Sequence, residues 1–432
     1  MKRTIGLCGW ILAAQHVWAG PYSAALDDRA NAYDAPVPGF VGPHGVGKAR
    51  LLTGIDDDGT PIFQNPDNHV NPLFFGWATE VPNFYRSDAG SAFSDSALGL
   101  GEVTGDNFDI VSLGDLSAAQ VTAGAQPGSI TLQLAKPVRN LSGADFVVFE
   151  NGLLSQSNQG GAGVGGILGE LAYVEVSANG VDFVRFPATS LTPSAVGPYG
   201  SLNPTNIHNL AGKHTNAYGN SWSTPFDLAQ VNVPEITHVR LVDIPGSGAF
   251  LDQTGRSIYD AWLTFGSGGF DLEAVGSISV VMNFADWPAL QKLDTTHRGA
   301  ADDPDGDGLP NLLEYAFARV PWLADSAGAT PVCRLVTEAG YPELSFVRDE
   351  RLTDLVYEVQ VSENMATGTW TTIASSTAGN PVQVVVGHSP VVSETAASQI
   401  TGIGQIRTVT VRDQVPASVS GKRLFRVKVS RP

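Results

Sequence analysis

Short segments with a hydrophobic residue at every second position recur along most of this chain, separated by stretches rich in glycine. Residues 129–135 (SITLQLA) alternate in this way, and residues 171–186 have the pattern of a β-hairpin that turns at Asn179-Gly180. The chain contains 48 glycines and 27 prolines, and patterns with helical periodicity are short. We therefore predict a mainly β protein, which excludes helical bundles, coiled coils and βαβ dinucleotide-binding enzymes.

The strand segments fall into two groups. Residues 20–281 are predicted to form a large antiparallel, jelly-roll-like β-sandwich with long N-terminal loops. Residues 327–432 carry about six further segments at the spacing of a small immunoglobulin-like or fibronectin-like sandwich. Residues 282–326 lie between them and are predicted to form a short helical linker, with one helix near residues 284–293 and another from Asn311 to Arg319.

The first 19 residues have the pattern of a secretory signal peptide. Lys2 and Arg3 precede a short apolar stretch, and Val17-Trp18-Ala19 places small residues at the cleavage positions. We expect cleavage near Ala19 and a protein that is secreted or held at the cell surface. No later segment reaches the apolar length of a membrane span.

The composition is acidic, with a formal net charge of −18. This balance argues against nucleic acid as a partner and suits either cation binding or solubility outside the cell. The sequence does not indicate an oligomeric state.

Residues 303–314 (DPDGDGLPNLLE), here called the acidic loop, carry the clearest chemical signal. Their oxygen donors have the spacing of an EF-hand calcium loop, with glycine at the sixth position. The predicted Ca²⁺ ligands are Asp303, Asp305, Asp307, the backbone carbonyl of Leu309, Asn311 and Glu314. A donor set made only of oxygens favours Ca²⁺ over Zn²⁺.

Pro310 departs from the paired EF-hand, because proline has no N–H to bond to a partner loop. The segment before the loop also lacks helical periodicity. The acidic loop is therefore similar to the single calcium loops of dockerins and thrombospondin type-3 repeats. Its predicted task is to stiffen the joint between the two β domains.

A polar and aromatic segment, residues 206–227, is a candidate glycan-binding surface. Flat rings stack on sugar faces, while amides and imidazoles bond to hydroxyls. The candidate residues are His208, Asn209, His214, Asn216, Tyr218 and Trp222. The alternative is an ordered loop packed on the sandwich.

Other acidic residues leave several alternatives open. Two of them could act as a catalytic pair, or several could hold a structural Ca²⁺; the candidates are Asp145, Glu150, Glu170, Asp271 and Glu273. Residues 56–58 (DDD) are a turn or a second cation site. The common hydrolase, zinc-protease and phosphate-loop motifs are missing.

Several segments of residues 40–280 resemble a family of uncharacterised secreted or cell-surface bacterial proteins. These segments are 145–152 (DFVVFENG), 170–177 (ELAYVEVS), 209–214 (NLAGKH), 224–229 (TPFDLA) and 269–275 (GFDLEAV). They also resemble galactose-binding-like jelly rolls, which implies a ligand-binding module without catalysis. A calcium loop followed by a terminal β domain is similar to the arrangement in large exported bacterial proteins.

The sequence therefore favours an exported, calcium-stabilised surface or extracellular binding protein that engages glycans through its large β domain. Two alternatives stay open. One is a secreted carbohydrate-active hydrolase or lyase with dispersed carboxylates, and the other is a purely structural surface protein.

Overall fold

The computed structural model describes residues 20–24, 34–90, 92–155, 166–325, 331–336, 340–364, 368–397, 405–416 and 423–432. The predicted signal peptide lies outside these ranges. The prediction of a mainly β protein is confirmed, since 37% of the chain is strand and 8% is helix. Among the helices of the described ranges, none has the length and hydropathy needed to cross a membrane.

The described residues before position 281 contain 19 strands, most of them short. They are β1 (Val37–Pro38), β2 (Phe40–Val41), β3 (Leu52–Ile55), β4 (Pro61–Phe63), β5 (His69–Val70), β6 (Gly76–Tyr85), β7 (Val111–Ser112), β8 (Ser129–Arg139), β9 (Phe146–Glu150), β10 (Leu153–Leu154), β11 (Ile167–Leu168), β12 (Ala172–Ser177), β13 (Val184–Arg185), β14 (Thr189–Ser190), β15 (Ile207–His208), β16 (Leu210–Ala211), β17 (Trp222–Phe226), β18 (Glu235–Asp243) and β19 (Asp271–Ser277).

Eleven of these strands form one curled antiparallel sheet, in the order β1-β17-β9-β19-β6-β8-β18-β12-β13, with β7 beside β19 and β16 beside β12. Strand β6 joins the two halves, because its first residues pair with β19 and the rest pair with β8. The sheet thereby folds over itself, and a hydrophobic core that includes Ile130, Val148 and Val174 fills the space between its halves.

Loops also cover the outer face of the curled sheet. For this reason some strands do not alternate between buried and exposed residues. All residues of β9, β12 and β19 are buried. A second hydrophobic cluster, which includes Phe40 and Trp77, packs N-terminal loops on β9 and β19. A third cluster, with Leu202 and Ile207, covers β12. Burial on both faces produces the continuous apolar runs seen in these segments.

Three short helices occur in the described residues. Helix α1 (Ala118–Thr122) has a capping box made by Ser117 and Gln120. The linker contains α2 (Trp287–Leu290) and α3 (Asn311–Ala316), both shorter than the helices predicted there. The rest of the described linker is largely turns and extended chain, with a 3₁₀ turn at Thr295–His297.

The C-terminal described residues form two four-stranded sheets, in the orders β20-β21-β26-β25 and β24-β23-β22-β27. Tyr357 and Phe346 stack between them, as expected for a two-sheet sandwich. The strands are β20 (Val332–Val336), β21 (Tyr341–Asp349), β22 (Val356–Ser362), β23 (Thr371–Thr377), β24 (Gln383–Val384), β25 (Val391–Ala396), β26 (Ile406–Arg412) and β27 (Leu424–Ser430).

A buried arginine joins the two β regions. Arg351 is 2% exposed and pairs with Asp349 at 2.6 Å. Its guanidinium donates to the backbone carbonyls of Leu73 and Ile278 in the first region, at 2.9 and 3.1 Å, and lies over the ring of Phe75. The two regions therefore share a polar contact that excludes water.

We expect Arg351→Met to lower the free energy of unfolding by about 3–5 kcal/mol, because it leaves the Asp349 carboxylate buried without its partner. Arg348→Met is the matched control, since Arg348 is equally buried but pairs with Glu394 inside the C-terminal sandwich. Hydrogen exchange should increase around residues 278–284 in the Arg351 variant alone. Equal exchange there in both variants would contradict this assignment.

Candidate functional site

The acidic loop brings three carboxylates to one point. Oxygens of Asp303, Asp305 and Asp307 all lie within 4.8 Å of one another. Gly306 and Gly308 have φ values of +74° and +91°, which L side chains rarely adopt, and they let the chain curl around this point. The curl is held by backbone N–H groups, with Gly306 and Gly308 each donating to Asp303 at 3.0 Å.

Helix α3 adds Glu314 and Asn311 to the same loop. Glu314 is 0% exposed, and neither of its carboxylate oxygens has a hydrogen-bond partner. Asn311 donates its amide to the carbonyls of His297 and Gly299, at 2.8 and 2.9 Å, which leaves its buried Oδ1 without a partner. The side chain of Leu309 is buried in the main core and anchors the position whose backbone carbonyl was predicted as a ligand.

Asp325 is a further acidic group beside the loop that the motif did not reveal. Its backbone N–H donates to Asp307 Oδ2 at 3.0 Å, and its buried Oδ1 has no partner. Arg319 lies 3.8 Å from its other oxygen. Asp325 follows the motif at a distance in sequence, so only the return of the chain after α3 brings it here.

The acidic loop concentrates negative charge. Burial raises the pKa of Glu314 to about 8, and the charges of Asp305, Asp307 and Asp325 act in the same direction. Burial and neighbouring carboxylates also raise the pKa of Asp305. Converging carboxylates with unpartnered oxygens match the all-oxygen coordination that Ca²⁺ takes, so the residues present fit this ion.

The six predicted glycan-binding residues do not form one exposed surface. Asn209, His214, Asn216 and Trp222 are buried, and His208 is partly buried. Tyr218 is 71% exposed. A ligand in solution could therefore reach Tyr218 and little else of this set without rearrangement.

The buried members have structural partners. Asn209 donates to Gln230 at 2.6 Å, and Asn216 donates to Glu273. His208 stacks on Tyr22, with ring centroids 4.7 Å apart, and contacts the carboxylate of Asp34 at 3.1 Å. These contacts fit the alternative of an ordered loop packed on the sandwich.

A cleft of about 960 Å³ lies elsewhere, between the N-terminal loops and the linker. Its walls carry aromatic rings and polar groups. Arg50 lies over the ring of Phe63 at 4.0 Å, and His69 contacts Trp322 with ring centroids 4.0 Å apart. Partial burial and the charge of Arg50 lower the pKa of His69, which favours its neutral form. Residues 56–58 lie outside this cleft, in the exposed turn between β3 and β4.

No family model and no curated protein matches this chain. Function can therefore be inferred only from the geometry of the acidic loop and the cleft.

The Asp34–Lys213 pair offers a direct test of the structural interpretation of residues 206–227. Lys213 is 0% exposed and pairs with Asp34. Burial opposes ionisation of Asp34, but His208 and Lys213 outweigh it and hold the pKa of Asp34 well below its usual range. This stabilisation is therefore complete above the ordinary aspartate pKa and is lost as the pH falls below it.

We expect Lys213→Met to lower the free energy of unfolding at pH 7 by about 3–5 kcal/mol, because Asp34 keeps a buried charge and loses its lysine partner. Urea unfolding measures this change. The double variant Asp34→Asn/Lys213→Met should recover a large part of the loss. A double variant no more stable than Lys213→Met would show that the pair is not the cause.

Proposed function

We propose that this chain is an exported extracellular binding protein that holds Ca²⁺ in its acidic loop, and that the ion fixes the joint between its two β regions. The observation that carries the proposal is Glu314, whose two buried oxygens lack any donor beside three converging aspartates. A divalent ion relieves both the lost hydration and the repulsion.

Helix α3 connects the loop to the start of the linker and to the C-terminal sandwich. The residue after Glu314 is Tyr315, whose hydroxyl lies within hydrogen-bond distance of the Met282 carbonyl (3.1 Å) and of the Asp354 carboxylate (2.8 Å). The hydroxyl of Tyr357, on β22, donates to the carbonyl of Ala316 at 2.6 Å. An ion that fixes Glu314 therefore also fixes the helix on which these contacts depend.

Glycan binding is the second part of the proposal, and the cleft supports it. Its lining includes Trp322, the linker residues 290–294, and the rings of Phe63 and Phe108. Aromatic rings together with amide and charged groups are the chemistry that sugar recognition uses. Because Trp322 follows α3 closely, calcium in the acidic loop would also steady this part of the lining.

Calorimetric titration of the full chain should show Ca²⁺ binding in the acidic loop with a Kd of about 10⁻⁴ M, as in extracellular calcium modules. Glu314→Gln should weaken that binding at least about tenfold, since it removes a charged bidentate ligand. At a Ca²⁺ concentration 100 times the Kd, the ion should raise the free energy of unfolding by about 2.7 kcal/mol.

Asp302→Asn is the control, because it removes the same charge next to the loop from a side chain that bonds to Gly299. Limited proteolysis with a chelator should show faster cleavage in residues 295–325 of the wild type. An identical cleavage pattern with and without Ca²⁺, together with no loss of binding in Glu314→Gln, would refute the calcium proposal.

For the cleft, we expect Trp322→Ala to weaken binding to any glycan retained on an array by about tenfold, the loss of one stacked ring. Tyr218→Ala changes an exposed aromatic residue of the sequence-predicted surface and serves as the control. Loss of binding in Tyr218→Ala with full binding in Trp322→Ala would move the glycan site to residues 206–227.

A further inference from the structure

Six acidic residues gather at one end of the curled sheet, far in sequence from the acidic loop. Their charges act on one another, and we call them the acid nest: Asp115, Glu150, Glu170, Asp243, Asp260 and Asp271. The sheet register explains the gathering. Glu150 ends β9 opposite Leu272, the second residue of β19, and Asp243 ends β18 opposite Ala172, the first residue of β12. Phe270, the residue before β19, donates its N–H to Asp243 at the end of β18, so strand ends from the two halves of the sheet lie side by side here.

Most of these carboxylates are buried, and only one of their two oxygens accepts a hydrogen bond. Asp243 and Asp260 are 1% and 2% exposed. One oxygen of Asp243 accepts from the N–H of Phe270, and one oxygen of Asp260 accepts from the N–H of Leu171, both at 2.8 Å. The remaining oxygens have no hydrogen-bond partner; these are Asp243 Oδ2, Asp260 Oδ1, Asp115 Oδ1 and Asp271 Oδ1.

Shared donors show that the carboxylates are neighbours. Glu170 accepts from the N–H of Gly269 at 3.1 Å, next to the Phe270 N–H that Asp243 uses, and Asp271 follows directly. The Thr264 hydroxyl lies within hydrogen-bond distance of both Glu170 and Asp115. A hydroxyl has one proton to donate, so it cannot satisfy two carboxylates at once.

The charges of the nest are poorly compensated. Burial raises the pKa of Asp271 to about 7, although hydrogen bonds from Ser267 and Ser112 and the charge of Arg86 act in the opposite direction. The guanidinium of Arg86 is already paired with Asp88 and also donates to the carbonyl of Gly266 at 3.1 Å. Burial, and then the charge of Asp271, raise the pKa of both Glu150 and Glu170 well above its usual range.

Two other buried acids show what a purely structural carboxylate looks like in this fold. Glu273 accepts from Thr104, Gly105 and Asn216, so both of its oxygens are bonded. Asp145, at the opposite end of β9 from Glu150, accepts from the N–H groups of Leu141 and Leu228 with its two oxygens. Neither leaves an orphaned oxygen, in contrast to Asp243 and Asp260.

From this contrast we propose that the acid nest is a second divalent-cation site, suited to Ca²⁺, in which the free oxygens of Asp243, Asp260, Asp271 and Asp115 turn toward one ion. The oxygen-only donor set excludes a preference for Zn²⁺. Glu170 is only partly buried and gives the ion a route from solvent. Among the described residues three carboxylates lie within 4.8 Å only in the acidic loop, so binding at the nest requires these side chains to rotate together.

The experiment counts Ca²⁺ ions by calorimetry in four forms of the full chain. The wild type should bind about two ions. A loop variant, Asp305→Asn/Glu314→Gln, should keep one. Adding Asp243→Asn/Asp260→Asn to the loop variant should abolish the remaining binding, whereas adding Asp145→Asn, a buried acid with both oxygens bonded, should leave it intact.

Each result separates the two sites. A loop variant that binds no ion, or one whose binding survives Asp243→Asn/Asp260→Asn, overturns the nest. If the wild type and the loop variant both bind one ion, the cation site at the nest is supported and the calcium site in the acidic loop is refuted.

Misfolding of the Asp243→Asn/Asp260→Asn variant could also abolish Ca²⁺ binding, so a second probe leaves those residues unchanged. Trp262 donates to the carbonyl of Leu116, the residue after Asp115. It should therefore sensitise Tb³⁺ luminescence in the loop variant, and Trp262→Phe should remove that emission. Unchanged emission in Trp262→Phe would contradict a metal ion at the nest.

Discussion

Buried carboxylate oxygens without a hydrogen-bond donor are the main electrostatic constraint on this structure. A buried anion loses its hydration, and neighbouring anions add repulsion. A buried carboxylate therefore stays ionised only with hydrogen-bond donors or a cation nearby, and otherwise takes up a proton. Glu273 and Asp145 use donors. Glu314 has no donor on either oxygen, and the acidic loop around it adds further negative charge.

The place of the acidic loop in the fold gives this local electrostatics a wider effect. Helix α3 lies against Met282 before it and Tyr357 after it, and Arg351 bonds to carbonyls across the same junction. The main hydrophobic core is continuous from the curled sheet through the linker to the C-terminal sandwich. An ion bound in the loop would therefore act on the whole assembly, and on the cleft wall that carries Trp322.

Sequence patterns served well where the relevant residues are close along the chain. The spacing of Asp303, Asp305 and Asp307 is sufficient to predict that their carboxylates converge. The chain curls at Gly306 and Gly308, and this curl directs alternate side chains toward one point. The ligand spacing did not predict Asp325, because this residue reaches the loop only after the chain has passed through α3. The polar segment 206–227 was a different case, since the residue types that suit a sugar surface also suit an ordered, buried loop.

The sequence by itself determined the mainly β fold and the carboxylate cluster of the acidic loop, because hydrophobic alternation and ligand spacing act over a few residues. Tertiary structure alone decided that Trp222 and His214 are buried, that Trp322 lines a cleft, and that Asp243 and Asp271 are close enough for their charges to interact. These outcomes depend on strand register and on which loops cover the sheet, and both are set by packing between segments far apart in the chain.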